Sequence, residues 1–327
     1  MKFKINPRPP IFCILLFCML PFYGCSRYTG TPATQNRSVR SDRSVIQRGN
    51  LQNDSRPLLA VSILPQQYFA TRIGGDRIRT LVLAGPGQNP HDYEPNPGQL
   101  QSLAGADAWV LSGTEFEITF APKVQKLFPS LDVVDGTAGI HFRESQETDE
   151  DSAGETAAGV SGNELDRIDR HTWLGSEGAQ IMASHIRDTL CRLDSANAVF
   201  YNENYNALIT DIQQEFSRLA TELEGLRGKT ILVYHPAFGY FLDEFGIIQE
   251  AVETGGKEPT PRQLADIITQ ARNENIKVIF VQAQFPAQSA AAVASAVGAK
   301  LEILDPLAPD WLENIRYIGE TLKQAIE

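Results

Sequence analysis

One amphipathic stretch, 198–226, divides the chain into two halves that repeat the same local pattern. Within it Tyr205, Leu208, Ile209, Ile212, Phe216, Leu219, Leu223 and Leu226 recur at three- and four-residue spacing, the signature of one face of an α-helix. At 1.5 Å per residue such a helix is roughly 40 Å long, more than the width of a small lobe, and it reads as a rigid strut between two lobes. Before it, apolar runs at 58–64, 80–84, 108–112 and 131–134 alternate with helical stretches at 96–104 and 122–128. After it, runs at 230–234, 247–252, 277–282 and 301–304 alternate with helices at 260–273 and 287–297, and 177–193 is a further helix just before the strut. Short strands alternating with helices specify an α/β fold with parallel sheets. The expected architecture is two lobes, 57–175 and 229–327, each a parallel-type sheet flanked by helices, joined by a long rigid helix within 176–228.

The segments before residue 57 read as something other than a fold. Lys2, Lys4 and Arg8 precede an apolar run, 11–22, of signal-peptide length and too short to span a bilayer comfortably. It ends at Phe22-Tyr23-Gly24-Cys25, where a small residue directly before a cysteine resembles a bacterial lipobox. The expectation is a lipoprotein signal over 1–25, lipidation at Cys25, and an exported, membrane-anchored protein on the periplasmic or extracellular face. Residues 26–56, rich in Ser, Thr, Asn, Gln and Arg without apolar period, read as a flexible tether. Cys13 and Cys18 leave with the signal, so Cys191 alone remains in the body and no intrachain disulfide forms. Losing Lys2, Lys4 and Arg8 makes a chain already at −11 three charges more negative, which argues against nucleic acid as a partner. A second irregular segment, 143–169, holds Glu144, Glu147, Asp149, Glu150, Asp151, Glu155, Glu164, Asp166 and Asp169 among Gly, Ser and Ala, and reads as a mobile, solvated acidic loop.

Chemistry concentrates at three of the five histidines, each set in a Pro, Gly or acid frame: Pro90-His91-Asp92-Tyr93-Glu94-Pro95, Asp169-Arg170-His171-Thr172-Trp173-Leu174 and Tyr234-His235-Pro236-Ala237-Phe238-Gly239. Neutral imidazole is the commonest side-chain metal ligand. Asp305, in Leu304-Asp305-Pro306-Leu307, supplies an oxygen donor that completes a tetrahedral set of three nitrogens and one oxygen. That set suits zinc and leaves no open position for catalysis. His91, His235 and Asp305 follow predicted strands, where α/β folds place ligands. Tyr93, Glu94 and Trp173 are expected to support the ligands, Glu94 by holding an imidazole N–H or ordering its turn. His141 and His185 read as exposed or structural. Gly228-Lys229-Thr230 imitates the end of a phosphate-binding loop but precedes a strand and lacks the earlier glycine.

With these motifs in order, the chain resembles the metal-binding receptors of bacterial ABC importers, the ZnuA/TroA type that handles zinc or manganese. Gly113-Thr114-Glu115-Phe116-Glu117, Tyr201-Asn202-Glu203-Asn204-Tyr205 and Glu258-Pro259-Thr260 extend the resemblance over 57–327. It implies two lobes joined by one long helix, one metal in the cleft, His91, His171, His235 and Asp305 on the ligand positions, and an ABC permease as partner. Imidazole rather than carboxylate at the third position, His235, favours zinc over manganese. Arg170 and Gly175 depart from the family pattern around the second histidine, and the loop that is His-rich in many zinc members is acidic here. The implied function is a monomeric, non-enzymatic lipoprotein that captures Zn²⁺ and delivers it to the permease, with affinity falling below about pH 6 as imidazoles protonate. Alternative readings are a manganese receptor of the same type, a zinc hydrolase with Asp305 as base, and a metal-stabilised adhesin.

Overall fold

The structure is a computed structural model that describes residues 54–145, 168–253, 258–285 and 288–326. The expected signal peptide, Cys25, the tether up to residue 53 and the middle of the acidic loop lie outside the described residues. The first half runs β1 (Leu58–Ile63), α1 (Leu64–Gly74), β2 (Arg79–Ala84), α2 (Pro97–Leu103), β3 (Ala108–Leu111), α3 (Glu115–Leu127) and β4 (Asp132–Asp135). Two helices, α4 (Ser176–Leu193) and α5 (Ala198–Glu222), connect it to the second half. That half runs β5 (Thr230–Val233), α6 (Gly239–Glu244), β6 (Ile248–Ala251), α7 (Pro261–Asn273), β7 (Val278–Val281), α8 (Gln288–Val297) and β8 (Lys300–Ile303), and α9 (Trp311–Ile326) closes the chain.

Both sheets are four-stranded and wholly parallel, in the orders β2-β1-β3-β4 and β6-β5-β7-β8. In each, the chain moves outward on one side of the first strand and then returns to the other side. This creates a topological switch point at the carboxyl edge, where loops diverge and leave a crevice. The inner strands are buried runs, as expected where helices cover both faces; Leu59, Ala60 and Val61 of β1 are fully enclosed. Matching capping boxes start the equivalent helices α2 and α7. Asn96 and Gln99 satisfy each other's backbone N–H groups, as do Thr260 and Gln263, with Pro97 and Pro261 at the first helical turn.

The long helix buries Tyr201, Leu208, Ile212, Phe216 and Leu219 along one stripe and packs against α1, α4 and α9. It stops at Glu222, short of the expected Leu226, because the chain tightens into a 3₁₀ turn at Glu224–Leu226 that contains Gly225. The third helix starts at Glu115 rather than near Pro122, and takes Pro122 into its interior at the loss of one backbone hydrogen bond. The final helix, unforeseen in the sequence, buries Trp311, Ile315, Ile318 and Leu322 and returns to the first half. There the Trp311 ring meets Phe69 edge-on at 5.0 Å and Phe216 at 6.4 Å. One hydrophobic core therefore runs from Leu59 and Trp109 through Trp173 and Trp311 to Phe241 and Phe280. A satellite cluster of Leu232, Ile279, Val281, Ala290 and Val293 fills the other face of the second sheet.

α9 crosses α5 closely at Gly319, where an added Cβ would lie 2.2 Å from Leu219 Cδ2. Leu219 is fully buried, so any shift of its side chain presses on the core around it. Gly319→Val is expected to destabilise by about 1–3 kcal/mol through overpacking, more than the fraction of a kcal/mol gained in helix propensity. Denaturant unfolding reads this directly, and an unchanged midpoint would contradict the close crossing.

Candidate metal centre

Every candidate residue stands at the carboxyl edge of a strand or in the loop that faces it. His91 lies in the loop after β2. Its backbone N–H donates to Asn89 Oδ1 at 3.2 Å, and the loop is anchored below by Tyr93, whose hydroxyl donates to Leu83 O at 2.7 Å. His171 opens the short 3₁₀ turn Thr172–Leu174 that leads into α4. His235 follows β5, where Gln282 grips its backbone from both sides: Oε1 accepts from His235 N at 3.2 Å and Nε2 donates to His235 O at 2.9 Å.

The three imidazoles converge. His235 Nε2 lies 3.0 Å from His91 Nε2 and 3.1 Å from His171 Nε2. Among the described residues these three form the group whose ligand atoms all fall within 4.8 Å of one another. Zinc–imidazole bonds of about 2.0–2.1 Å place the nitrogens of a tetrahedral centre roughly 3.3 Å apart, close to the observed spacing. The second ring nitrogens explain why the first ones face inward. His171 Nδ1 lies 2.8 Å from Asp169 Oδ1, His91 Nδ1 lies 3.2 Å from Glu115 Oε2, and His235 Nδ1 contacts Glu253 Oε1. A carboxylate only accepts, so the Nδ1 of His171 and that of His235 carry their protons toward Asp169 and Glu253 and turn each Nε2 lone pair to the shared space, while His91 Nδ1 stands at ion-pair distance from Glu115 Oε2. Three lone pairs at this distance repel unless a cation lies between them.

These three carboxylates were not singled out as ligand supports in the sequence. Asp169 was legible only as the residue two before His171, and Glu115 only as part of the Gly113–Glu117 motif. Glu253 is separated from His235 in sequence but level with it in the sheet: Val233 pairs with Ala251, and two residues on, the same register sets His235 beside Glu253. Of the expected supports, Tyr93 anchors the His91 loop and Trp173 donates its Nε1 to Pro306 O at 2.7 Å, tying the His171 turn to the loop after β8. Glu94 is exposed and takes no such part; its place beside an imidazole is filled by Glu115.

Asp305 was expected as a fourth donor, and it does not join the imidazole group. Its Oδ1 accepts from Gln284 Nε2 at 2.8 Å and from Leu307 N at 2.9 Å, so the carboxylate is already held by its own loop and a neighbouring one. His141 is exposed beside Glu177, and His185 Nε2 contacts Ala138 O, both away from the centre. Gly228-Lys229-Thr230 enters β5 at its amino end, opposite the site.

Charge and burial shape what this centre accepts. The His171 and His235 side chains are 8% and 2% exposed, whereas that of His91 is 24% exposed, so His91 faces the way in. Two arginines offset the carboxylates: Arg143 Nη1 donates to Asp169 Oδ2 at 2.8 Å, and buried Arg170 reaches Glu115 at 3.6 Å while donating to Gly113 O. Arg170, a departure from the family pattern, is thus part of the site wall. Gly175, the other departure, admits α6, since a Cβ there would come within 3.0 Å of Tyr240 Cβ.

Burial, together with the positive charge His171 and His91 would carry, pushes the His235 pKa well below its ordinary value. Burial alone would raise Glu115 and Asp169, but the hydrogen bonds and charges of His91 and His171 outweigh it; Glu115 is lowered to about 2 and Asp169 is held below the usual range. Native His235 therefore stays neutral at pH values where an unfolded histidine, with pKa about 6.5, takes up a proton. Its contribution to metal-free stability is present above that pH and is lost as pH falls from about 6.5 toward the depressed native value. The contribution of the two carboxylates is fully present above the unfolded carboxylate range and is lost only as pH falls below it, in a separate window. Thermal unfolding of the metal-free protein between pH 7.5 and 5 is expected to show a falling Tm, with a smaller fall in His235→Asn. Equal falls in the two proteins would remove His235 as the cause.

A family model described as the zinc-uptake complex component A, periplasmic (ZnuA), matches residues 59–325. The high-affinity zinc uptake system protein ZnuA of Bacillus subtilis (strain 168) is 27% identical over 253 residues, covering 76% of this chain and 78% of that relative. A crystal structure of ZnuA superimposes with a TM-score of 0.75 at 31% identity, over 83% of this chain and 100% of the other. A ZnuA deletion mutant with zinc bound gives a TM-score of 0.73 at 31% identity, over 83% and 98%. With the two parallel sheets and the convergent imidazoles already in place, the chain belongs to the ZnuA family of zinc-uptake components.

Proposed function

We propose that this chain captures Zn²⁺ outside the cytoplasm, with His91, His171 and His235 as its ligands, and hands the ion to the membrane subunit of an ABC importer. The observation that carries this reading is the meeting of three Nε2 atoms whose partner nitrogens are each set against a carboxylate. Neutral nitrogen donors of this kind suit zinc over the oxygen-loving manganese ion. The export signal and lipidation at Cys25 belong to the same reading, since a receptor feeding an importer works at the outer face of its membrane. Release follows from the uneven burial of the ligands: His91, the accessible one, leaves first when the permease docks, while His171 and His235 stay in the core.

Three imidazoles without a carboxylate are also the donor set of some hydrolytic zinc centres. Space supports the first. The cavity lined by His91, His171, His235, Gln284 and Phe285 has a volume of about 10 Å³, about what one water needs, which supports capture of a single ion over binding of an ester or peptide. Calorimetric titration of the metal-free protein with Zn²⁺ is expected to give one tight site per chain. An absence of stoichiometric binding would overturn the reading, and turnover of an ester by the zinc-loaded protein would favour the hydrolase.

A further inference from the structure

The loop after β7 brings an amide to the wall of the centre. Gln284 lines the same small cavity as His91, His171 and His235. Its Nε2 donates to Asp305 Oδ1 at 2.8 Å. Because a carboxylate cannot donate, this contact fixes which end of the amide faces Asp305, and the amide oxygen must point elsewhere. That oxygen, Gln284 Oε1, is buried and has no hydrogen-bond partner. A buried acceptor without a partner is uncommon, and in a cavity beside a cation site it marks the place of a donor or an ion. Asp305 is meanwhile restrained a second time, by the Leu307 N–H on the same Oδ1, and its backbone carbonyl accepts from Asn314 Nδ2 at 2.7 Å.

We propose that Gln284 selects the fourth donor of the centre: its amide nitrogen restrains the Asp305 carboxylate away from the ion, and its amide oxygen accepts a hydrogen bond from a water on the ion. This rests on the three imidazoles being the cargo site. The result is a set of three nitrogens and one neutral oxygen in place of three nitrogens and a carboxylate. A carboxylate strengthens binding of oxygen-preferring ions such as Mn²⁺ more than that of Zn²⁺, so the restraint acts as a specificity device. It also spares the departing ion the attraction of one more anionic ligand. Phe285, stacked on the His235 ring at 4.4 Å, narrows the same side and limits it to a single small donor.

The test compares Zn²⁺ and Mn²⁺ affinities by competition with a chromophoric chelator. In Gln284→Leu, Asp305 loses its amide restraint and turns toward the ion. The Zn²⁺ to Mn²⁺ affinity ratio is expected to fall by about tenfold or more, the scale on which partners of metal ligands act. Gln284→Leu combined with Asp305→Asn restores the ratio, and Asp305→Asn alone leaves zinc affinity near that of the unaltered protein. Gln284→Ala removes the same two groups without added bulk and carries the test should the leucine variant fail to fold. An unchanged ratio in a folded Gln284 variant, or a tenfold loss of zinc affinity from Asp305→Asn alone, would overturn the proposal. Failure of the centre itself has a different mark: His171→Ala would then bind zinc as tightly as the unaltered chain, and the proposal would fall with it.

Discussion

His235→Ala is expected to abolish tight zinc binding, with a loss beyond the roughly 10–100-fold that follows removal of a mere partner of a metal ligand. Among the three imidazoles His235 is the one whose Nε2 stands within about a bond-pair's distance of both others, at 3.0 and 3.1 Å. Without it, His91 and His171 are two donors on separate loops, one short of a three-nitrogen set. Its burial also keeps it neutral, and so ready to bind, at pH values where an exposed imidazole is already protonated. The comparison that makes this specific is Glu253→Gln. An amide oxygen still accepts the Nδ1 proton but carries no charge, so the expected loss is the smaller, 10–100-fold one. Competition with a chromophoric chelator at pH 7.5 separates the two variants. Stoichiometric, unweakened binding by His235→Ala would refute the three-imidazole centre.

Trp311→Ala is expected to destabilise the protein by about 3–5 kcal/mol, a large share of the stability of a folded chain. Trp311 begins α9 and is fully buried. Its ring packs on Phe69 of α1 and Phe216 of α5, and its Nε1 donates to Trp173 O at 2.8 Å. Trp173 in turn donates to Pro306 O from the turn that carries His171. One side chain therefore joins the last helix, the first half of the chain and the turn that carries His171. Removing it leaves a cavity where these elements meet and frees the His171 turn. Denaturant unfolding is expected to show the stability loss, and zinc titration a weaker site in the protein that remains folded. A shift below about 1 kcal/mol would mean that the helices close over the gap, contrary to the dense core.

The strands were legible because a parallel sheet covered on both faces needs short, continuous apolar runs. All eight predicted runs coincide with β1 to β8 within a residue or two. The strut was legible from a stripe that only a helix satisfies. The last helix was missed although Trp311, Ile315, Ile318 and Leu322 keep the same spacing. Pro122 misled the start of α3, since a proline suits a first turn and here lies inside a helix.

By itself the sequence determined an α/β chain in two halves, a long helix between them, and three framed histidines, His91 and His235 after strands and His171 before a helix, because apolar period and turn residues act over a few neighbours. Only the tertiary structure decided which carboxylates meet which imidazoles. Asp169, Glu115 and Glu253 reach their partners through a local turn, the start of α3 and a sheet register, while Asp305 is taken by Gln284 and Leu307. The reason is that a carboxylate goes to the nearest donor, and nearness between loops is set by how the sheets pack.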